Sequence, residues 1–228
     1  MKSLFVLFVL LLGLTANAAE YGELVISGEG KVTAKPDIGY ISLAVVTEAD
    51  TPTAASSQNS EAMTKLYKVL DDNQIPRTDV QTSNFSIQPK YLYEEKKEAK
   101  VVGYFVSNQV TVRVCVLEKM GVLLETLIKE GANRVGGISF GVQDEKTLLD
   151  QARVLATKDM LNKARLYSET AGFKVVKFKL FSESLGGRRP VQYKAAAADA
   201  APGASGETPI SGGELSFQVT VNATLEIK

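Results

Sequence analysis

The chain has 228 residues, with 26 basic and 26 acidic side chains and no histidine, so its formal net charge is zero. This balance excludes the basic surface that nucleic acid requires and gives no reason to expect an anionic membrane as a partner. The absence of histidine removes the commonest general base and the commonest metal ligand. We therefore expect neither a metal ion nor any other cofactor.

The first eighteen residues have the three parts of a secretory signal peptide. Lys2 supplies the positive charge, residues 4–12 form an unbroken apolar run, and Ala16 and Ala18 supply the small residues that signal peptidase requires. The run is shorter than the about 20 apolar residues that span a bilayer. We therefore expect cleavage between Ala18 and Ala19, export to the periplasm, and a mature chain without a transmembrane segment.

The first predicted elements are two strands and a helix. Residues 24–33 are typical of a strand interrupted by glycines, and the apolar run of residues 38–46 predicts a central strand. Thr51 and Pro52 are typical of a helix start. The helix continues to Asn73 with apolar residues at helical spacing: Met63, Leu66, Tyr67 and Leu70.

Two predicted strands follow, joined by a charged tip. Residues 80–92 form the first strand, and the second alternates apolar and polar residues from Val102 to Val116, which indicates one buried face. The tip contains Glu94, Glu95 and Glu98 among several lysines. This mixture of charges favours a solvated loop over a metal site.

The remainder of the chain predicts two helices and three strands. A short helix starts at Met120, and Gly131 is predicted to end it as a cap in the left-handed conformation. A long helix is predicted to end before Gly172. One side of this helix carries Leu148, Ala152, Ala156, Met160, Ala164, Tyr167 and Ala171. Strands are predicted over residues 135–142, 175–181 and 215–227, and the last of these alternates almost without interruption.

Residues 186–213 are rich in alanine, glycine and proline and predict a flexible loop. Arg188 and Arg189 open this segment. An arginine pair can hold a carboxylate or a phosphate, so the pair is a possible loop contact, although a solubilising role is the favoured interpretation.

The order of elements predicts an α+β fold with two units. Over residues 38–143 the order is β-α-β-β-α-β, which is the ferredoxin-like order. The N-terminal strand within residues 19–37 and the C-terminal helix and strands within residues 144–228 then form a second, discontinuous α+β unit.

Five short segments stand out along the chain. They are Ile26-Ser27-Gly28-Glu29-Gly30 to Pro36-Asp37; Val80 to Pro89 with Tyr91; Gly103-Tyr104 with Val106; Gly131-Ala132-Asn133 with Gly137-Ile138-Ser139-Phe140; and Pro209-Ile210 with Gly213-Glu214. Together they resemble the SIMPL-domain family, a bacterial group that includes periplasmic immunogenic and oxidative-stress-defence proteins, and they follow the family's order over about residues 24–228. The resemblance implies a secreted or periplasmic α+β protein that often self-associates, and it carries over no catalytic residue.

Gly28 and Gly30 match the first half of a dinucleotide-binding fingerprint. The match ends there, because Thr33 occupies the position of the third glycine and Pro36 stands where a helix should begin. A strand bulge or close packing of the strand backbone is the favoured interpretation of these glycines.

Cys115 is the only cysteine, so the chain cannot form an internal disulfide. It shares strand parity with polar residues, and Arg113 and Lys119 are near in sequence and would favour a thiolate, which makes it a possible redox thiol. The favoured interpretation is a small buried filler, since cysteine is among the most buried residue types.

Three functional hypotheses follow. The favoured one is a non-enzymatic, self-assembling periplasmic protein that supports the envelope or its defence against oxidative stress. The second is a binding module or chaperone-like protein for an envelope client. The third is a peroxide-reactive protein that uses Cys115.

Overall fold

The computed structural model describes residues 21–190 and 210–228. Within these residues there are seven strands and three α-helices, and short 3-10 helices at Arg77–Asp79 and Leu117–Lys119 precede β3 and α2. The strands are β1 Gly22–Ala34, β2 Ile38–Ala49, β3 Val80–Leu92, β4 Lys100–Val114, β5 Arg134–Gly141, β6 Val175–Pro190 and β7 Leu215–Ile227. The α-helices are α1 Pro52–Asp72, α2 Met120–Lys129 and α3 Glu145–Ala171.

The strands form two sheets. One has four strands in the order β3-β4-β2-β5, and the other has three strands in the order β1-β7-β6. In the four-stranded sheet all neighbours are antiparallel. With α1 and α2 as its connections, this order is the ferredoxin-like topology. The predicted α+β fold class is confirmed.

Contacts between residues divide the chain into two compact units. The large unit contains Lys31–Ala152 and Gly186–Gln218, and the small unit contains the N-terminal strand up to Gly30 with Arg153–Leu185 and Val219–Lys228. The ferredoxin-like segment of residues 38–143 lies within the large unit. The division of the chain at residues 37 and 144 stays a prediction.

The core of the large unit lies between its sheet and its two helices. α1 begins as predicted, because the Thr51 hydroxyl accepts a hydrogen bond from the Ala54 amide at 3.2 Å and Pro52 occupies the first turn. The alternation of β4 is also confirmed, since its valines are buried from Val106 to Val114. The fully buried members of this core are Ile41, Leu43, Leu66, Leu70, Val110, Val112, Met120 and Leu127.

The small unit packs one helix against strands with small residues at the contact. A Cβ atom on Gly28 would lie 2.1 Å from the Ala156 carbonyl oxygen and 2.5 Å from the Met160 amide nitrogen, both of which belong to α3. Only glycine allows this approach of β1 to the helix. The interpretation of Gly28 as a close-packing residue is therefore confirmed. The buried residues that α3 and β7 contribute to this unit are Ala156, Met160, Ala164, Val219, Val221, Ala223 and Leu225.

Two segment ends differ from the sequence prediction. Strand β6 continues to Pro190, so residues 186–190 are strand where we predicted loop, and residues 191–209 lie outside the described residues.

Gly172 ends α3 with a φ of +80°, as a left-handed cap does. Gly131 has a φ of +130°, which is positive but lies beyond the left-handed helical region.

Candidate functional site

Cys115 lines a small cavity in the large unit. It follows the last residue of β4, and its side chain is exposed. The cavity has a volume of about 140 Å³, and its polar wall includes Arg113, Asp79 and Lys119. The apolar wall is supplied by Pro76 and its neighbours in the turn after α1, together with Leu123 of α2.

Arg113 is held in place beside this cavity by two hydrogen bonds. Its guanidinium donates to the Asp79 carboxylate at 3.2 Å and to the Gln143 side-chain oxygen at 3.2 Å. The hydrogen bond to Asp79 is the main cause that raises the pKa of Arg113, and the nearby Cys115 thiol adds to it. Arg113 and the exposed Cys115 thiol thus line the same cavity.

The structure corrects the favoured interpretation of Cys115. We expected a buried filler, whereas the thiol is exposed at the mouth of the cavity. The expectation rested on the general tendency of cysteine to be buried. Here Cys115 has the parity of the polar residues of β4 and lies just beyond Val114, where the strand ends. Arg113 and Lys119 do line the same cavity, as their spacing in the sequence suggested. Asp79 was missed because it is distant in sequence.

The other predicted positions lie elsewhere. Arg188 and Arg189 belong to the end of β6, and their side chains lie outside the described part of the structure. Ala18 and Ala19 also lie outside it. Glu94 of the charged hairpin tip pairs with Lys97, which fits a solvated loop. Among residues 21–190 and 210–228, no group of three or more acidic or cysteine side chains is placed to hold a metal ion.

A second surface concentrates exposed apolar side chains in the small unit. We call it the β6 surface, and it consists of β6 together with the exposed side of α3. The exposed fractions on β6 range from 40% to 61%, which is high for large apolar side chains on a strand. Its members on β6 are Val175, Val176, Phe178, Leu180, Phe181 and Leu185, and those on α3 are Val154, Leu155, Leu161, Leu166 and Tyr167.

The β6 surface contains an open groove of about 490 Å³ between α3 and β6. Leu161 and Ala164 line it from the helix, and Val175 and Phe178 line it from the strand. The charged residues of β6 are paired close by, since Lys179 lies 2.9 Å from Glu23 and 3.6 Å from Glu226. The groove has a largely apolar lining to which Arg165, Ser168 and Lys174 add polar groups, and β6 lies at the edge of the sheet.

Sequence comparison places these features in a family. Residues 24–225 match SIMPL, described as "Protein of unknown function (DUF541)". The chain belongs to the SIMPL family. It is 33% identical over 215 residues to the 26 kDa periplasmic immunogenic protein of Brucella melitensis biotype 1, covering 90% of this chain and 85% of the relative.

Other SIMPL relatives are named uncharacterized protein YggE. The Escherichia coli K12 protein is 30% identical over 171 residues, covering 72% of this chain and 69% of the relative. The Edwardsiella ictaluri protein is 26% identical over 157 residues, covering 69% of this chain and 66% of the relative. These names assign no reaction to a SIMPL protein. In the part of the chain that the structure describes, no helix is long and apolar enough to cross a membrane.

Little in the sequence of this SIMPL protein indicated the β6 surface. Residues 175–181 predicted a strand, but a continuous apolar run is equally typical of a strand buried on both faces. The structure shows their exposure directly, since the large apolar side chains of β6 are 40% to 61% exposed.

Proposed function

We propose that this SIMPL protein is exported to the periplasm and acts there as a non-enzymatic, self-assembled protein that supports the envelope under oxidative stress. The observation that carries the proposal is the β6 surface. The periplasmic name of the Brucella relative supports the location, and the signal-peptide pattern of residues 1–18 supports export.

An exposed edge strand of this kind favours association. β6 is 16 residues long, and among the strands of residues 21–190 and 210–228 it pairs only with β7, so its other edge has no strand partner there and lies next to large apolar side chains. Proteins generally protect such edges with charge, with bulges or with a covering element. On β6 the charges of Lys177 and Lys179 are both paired with Glu226, and Lys179 also pairs with Glu23, which reduces this protection.

A second copy of the chain is the partner that best fits this surface. Soluble proteins rarely leave contiguous apolar patches larger than a few hundred Å² exposed to water. A symmetric contact would bring the groove and the edge of one copy against the same features of another. Each leucine or phenylalanine that such a contact buries would contribute about 1.5–3 kcal/mol.

The decisive experiment compares native mass with and without the β6 surface. We expect the wild-type protein to be larger than a monomer at micromolar concentration in size exclusion with light scattering. Leu180→Glu places a charge on the most exposed leucine of β6, which is 61% exposed, and we expect it to give a monomer. Val122→Glu is the matched control, because Val122 is 48% exposed on α2 in the large unit.

Reductant separates apolar association from disulfide linkage. A single cysteine can link only two chains, so an assembly that persists in reductant does not depend on Cys115. A monomeric wild-type protein would contradict the self-assembly proposal. The link to oxidative stress is tested in a deletion strain, where the wild-type gene should restore growth in peroxide and Leu180→Glu should not.

Export has its own test. Mass analysis of the N-terminus of the protein from the periplasmic fraction should show a chain that begins at Ala19. A chain that retains Met1 and sediments with the membrane would contradict both the cleavage and the location.

The second candidate is a binding module for an envelope client, and the β6 surface also favours it. An extended segment of another protein can add a strand to a free sheet edge. If the wild-type protein is monomeric, co-purification from envelope extracts should recover a client, and Leu180→Glu should lose it. Deletion of residues 191–209 then tests whether the segment after Arg188 and Arg189 takes part.

The third candidate is a peroxide-reactive thiol, and the exposed position of Cys115 beside Arg113 favours it. The Cys115 thiolate would attack one peroxide oxygen; the O–O bond breaks, the sulfur becomes a sulfenic acid, and the other oxygen leaves as water after protonation. Mass spectrometry after peroxide treatment should show one added oxygen, and Cys115→Ser should show none. Arg113→Gln should slow the reaction if the cation stabilises the thiolate.

A further inference from the structure

The four-stranded sheet of the large unit has one face that its two helices do not cover. The helices pack on the face that carries Ile41, Leu43 and Val45, and the alternate residues of the same strands point to the other side. This other side contains a concavity of about 350 Å³. We call it the polar sheet face, and its polar members are Asn84, Ser86, Gln88, Ser107, Gln109 and Arg134.

The strand register arranges these side chains in adjacent rows across the sheet. Gln109 lies between Asn84 and Ala44, and Arg134 continues that row on β5. In the next row Ser107 lies between Ser86 and Val46, and in the third Phe105 lies between Gln88 and Glu48. From β2 the concavity is lined by Ala44 and Val46, which are smaller than the amide side chains that line it from β3 and β4.

Most of these side chains are free to bind a ligand. In residues 21–190 and 210–228, the side chains of Asn84, Ser86, Gln88 and Ser107 have no hydrogen-bond partner within the protein. Gln109 is the exception, since its amide donates to the Ser42 hydroxyl at 2.9 Å. Amides and hydroxyls both donate and accept hydrogen bonds, which is also what the hydroxyl groups of a sugar require of a site.

The unpaired charge on the polar sheet face is positive. Arg134 is exposed and has no ion-pair partner in the described part of the chain. Glu48 lies at the far end of the face, where Lys90 neutralises it, and Lys90 also lies 5.5 Å from the Phe105 ring centroid. In the described part of the chain, the face therefore offers Arg134 as a cation without an ion-pair partner and the Phe105 ring as an apolar contact. A ligand that matches it carries a carboxylate on an otherwise neutral molecule rich in hydroxyl groups.

We propose that the polar sheet face binds a glycan that carries carboxylate groups, with Arg134 pairing with a carboxylate and the amide and hydroxyl rows holding the sugar hydroxyls. This site is separate from the β6 surface, which belongs to the small unit. Binding here and self-assembly through β6 can therefore fail independently.

Trigalacturonate is a suitable probe, because it places a carboxylate on each ring of a short glycan. We expect isothermal titration calorimetry to show saturable binding to the wild-type protein. Maltotriose, which has the hydroxyls but no carboxylate, should bind at least about fivefold more weakly. Hydrogen exchange with trigalacturonate should show added protection in residues 80–92 and 100–114.

Two variants and one control locate the site. Arg134→Gln removes the cation and Ser107→Val removes a central hydroxyl while keeping a strand-forming residue, and each should weaken trigalacturonate binding about fivefold or more. Arg165→Gln removes an exposed arginine from α3 in the small unit and should leave binding unchanged.

Several outcomes would overturn the proposal. They are the absence of saturable binding, equal affinity for maltotriose, and equal effects of Arg134→Gln and Arg165→Gln. Protection of residues 80–92 and 100–114 that depends on protein concentration and not on the sugar would also overturn it. That last result would assign the polar sheet face to a contact between protein molecules.

Discussion

The large unit holds a core of bulky aliphatic side chains between its sheet and its helices, whereas the helix of the small unit meets its strands largely through small residues. In the large unit two helices cover one face of a four-stranded sheet, and residues such as Leu66, Leu70 and Leu127 are fully buried. In the small unit one helix contacts its strands through Ala156, Met160 and Ala164, while large apolar residues such as Leu180 remain exposed. The two units differ in where their bulky residues lie.

This difference has an energetic consequence. Burial of a leucine or valine side chain contributes about 1.5–3 kcal/mol, and alanine contributes much less. A contact made of alanine and glycine allows the helix and strand backbones to approach closely, but it gains little hydrophobic free energy. Both units expose large apolar side chains, but the small unit does so with far fewer residues. Relative to its size, it would therefore gain more from an added partner.

The largest predicted effect tests the core of the large unit. Val112 is fully buried in the row that faces the helices, so Val112→Asp places an unpaired charge in the core. We expect a loss of about 3 kcal/mol or more in the free energy of unfolding, enough to prevent folding of this unit. Circular dichroism during urea unfolding measures the loss.

The neighbouring position provides the control. Thr111 lies on the polar sheet face and is only half-buried, so Thr111→Asp should cost less than half as much as Val112→Asp. Equal losses at the two positions would contradict the assignment of these residues to opposite faces.

The next effect tests the close contact in the small unit. Gly28→Val adds a side chain whose Cβ would overlap backbone atoms of α3, and neither backbone can move away cheaply. We expect a loss of about 1–3 kcal/mol in the free energy of unfolding, although valine is the better strand former. Urea unfolding followed by circular dichroism measures this loss.

Ser27→Val is the matched control for this substitution. Ser27 is exposed on the opposite face of β1, so the same new side chain should change the free energy of unfolding by no more than about 0.5 kcal/mol. A similar loss at both positions would mean that the contact of Gly28 with α3 is not the cause.

The sequence predicted the elements that have strong local signals. Thr51 and Pro52 start α1, and the alternation of β4 and of β7 identifies their buried faces, because periodicity follows directly from backbone geometry. The sequence did not predict the exposed position of Cys115. Its strand parity with polar residues indicated an accessible side chain, but the general tendency of cysteine to be buried decided the favoured interpretation.

The candidate surfaces depend on strand order, which a single sequence does not reveal. The polar sheet face needs β3, β4, β2 and β5 side by side, so Arg134 and Asn84 could not be associated before the topology was known. The same holds for the β6 surface. An apolar strand becomes a binding surface only when it lies at an edge.

The smallest predicted effect concerns an ion pair that fixes β1 to α3. Asp159 accepts hydrogen bonds from Lys163 at 2.7 Å and from the Glu29 amide at 2.9 Å. Lys163 in turn donates to the Ser27 carbonyl oxygen at 3.2 Å. The hydrogen bond from Lys163, followed by that from the Glu29 amide, lowers the pKa of Asp159.

Asp159→Asn should lower the free energy of unfolding by about 1 kcal/mol near neutral pH, because it weakens charge-assisted hydrogen bonds at a partly exposed site. Because the folded pKa of Asp159 is lowered, its contribution is fully present above the unfolded pKa of about 3.9 and is lost as the pH falls through the folded value. The difference between wild type and variant, measured by urea unfolding at several pH values, should therefore be constant near neutrality and decrease in acid. A difference that persists unchanged below the folded pKa would show that the substitution perturbs packing, and that the carboxylate charge does not hold β1 against α3.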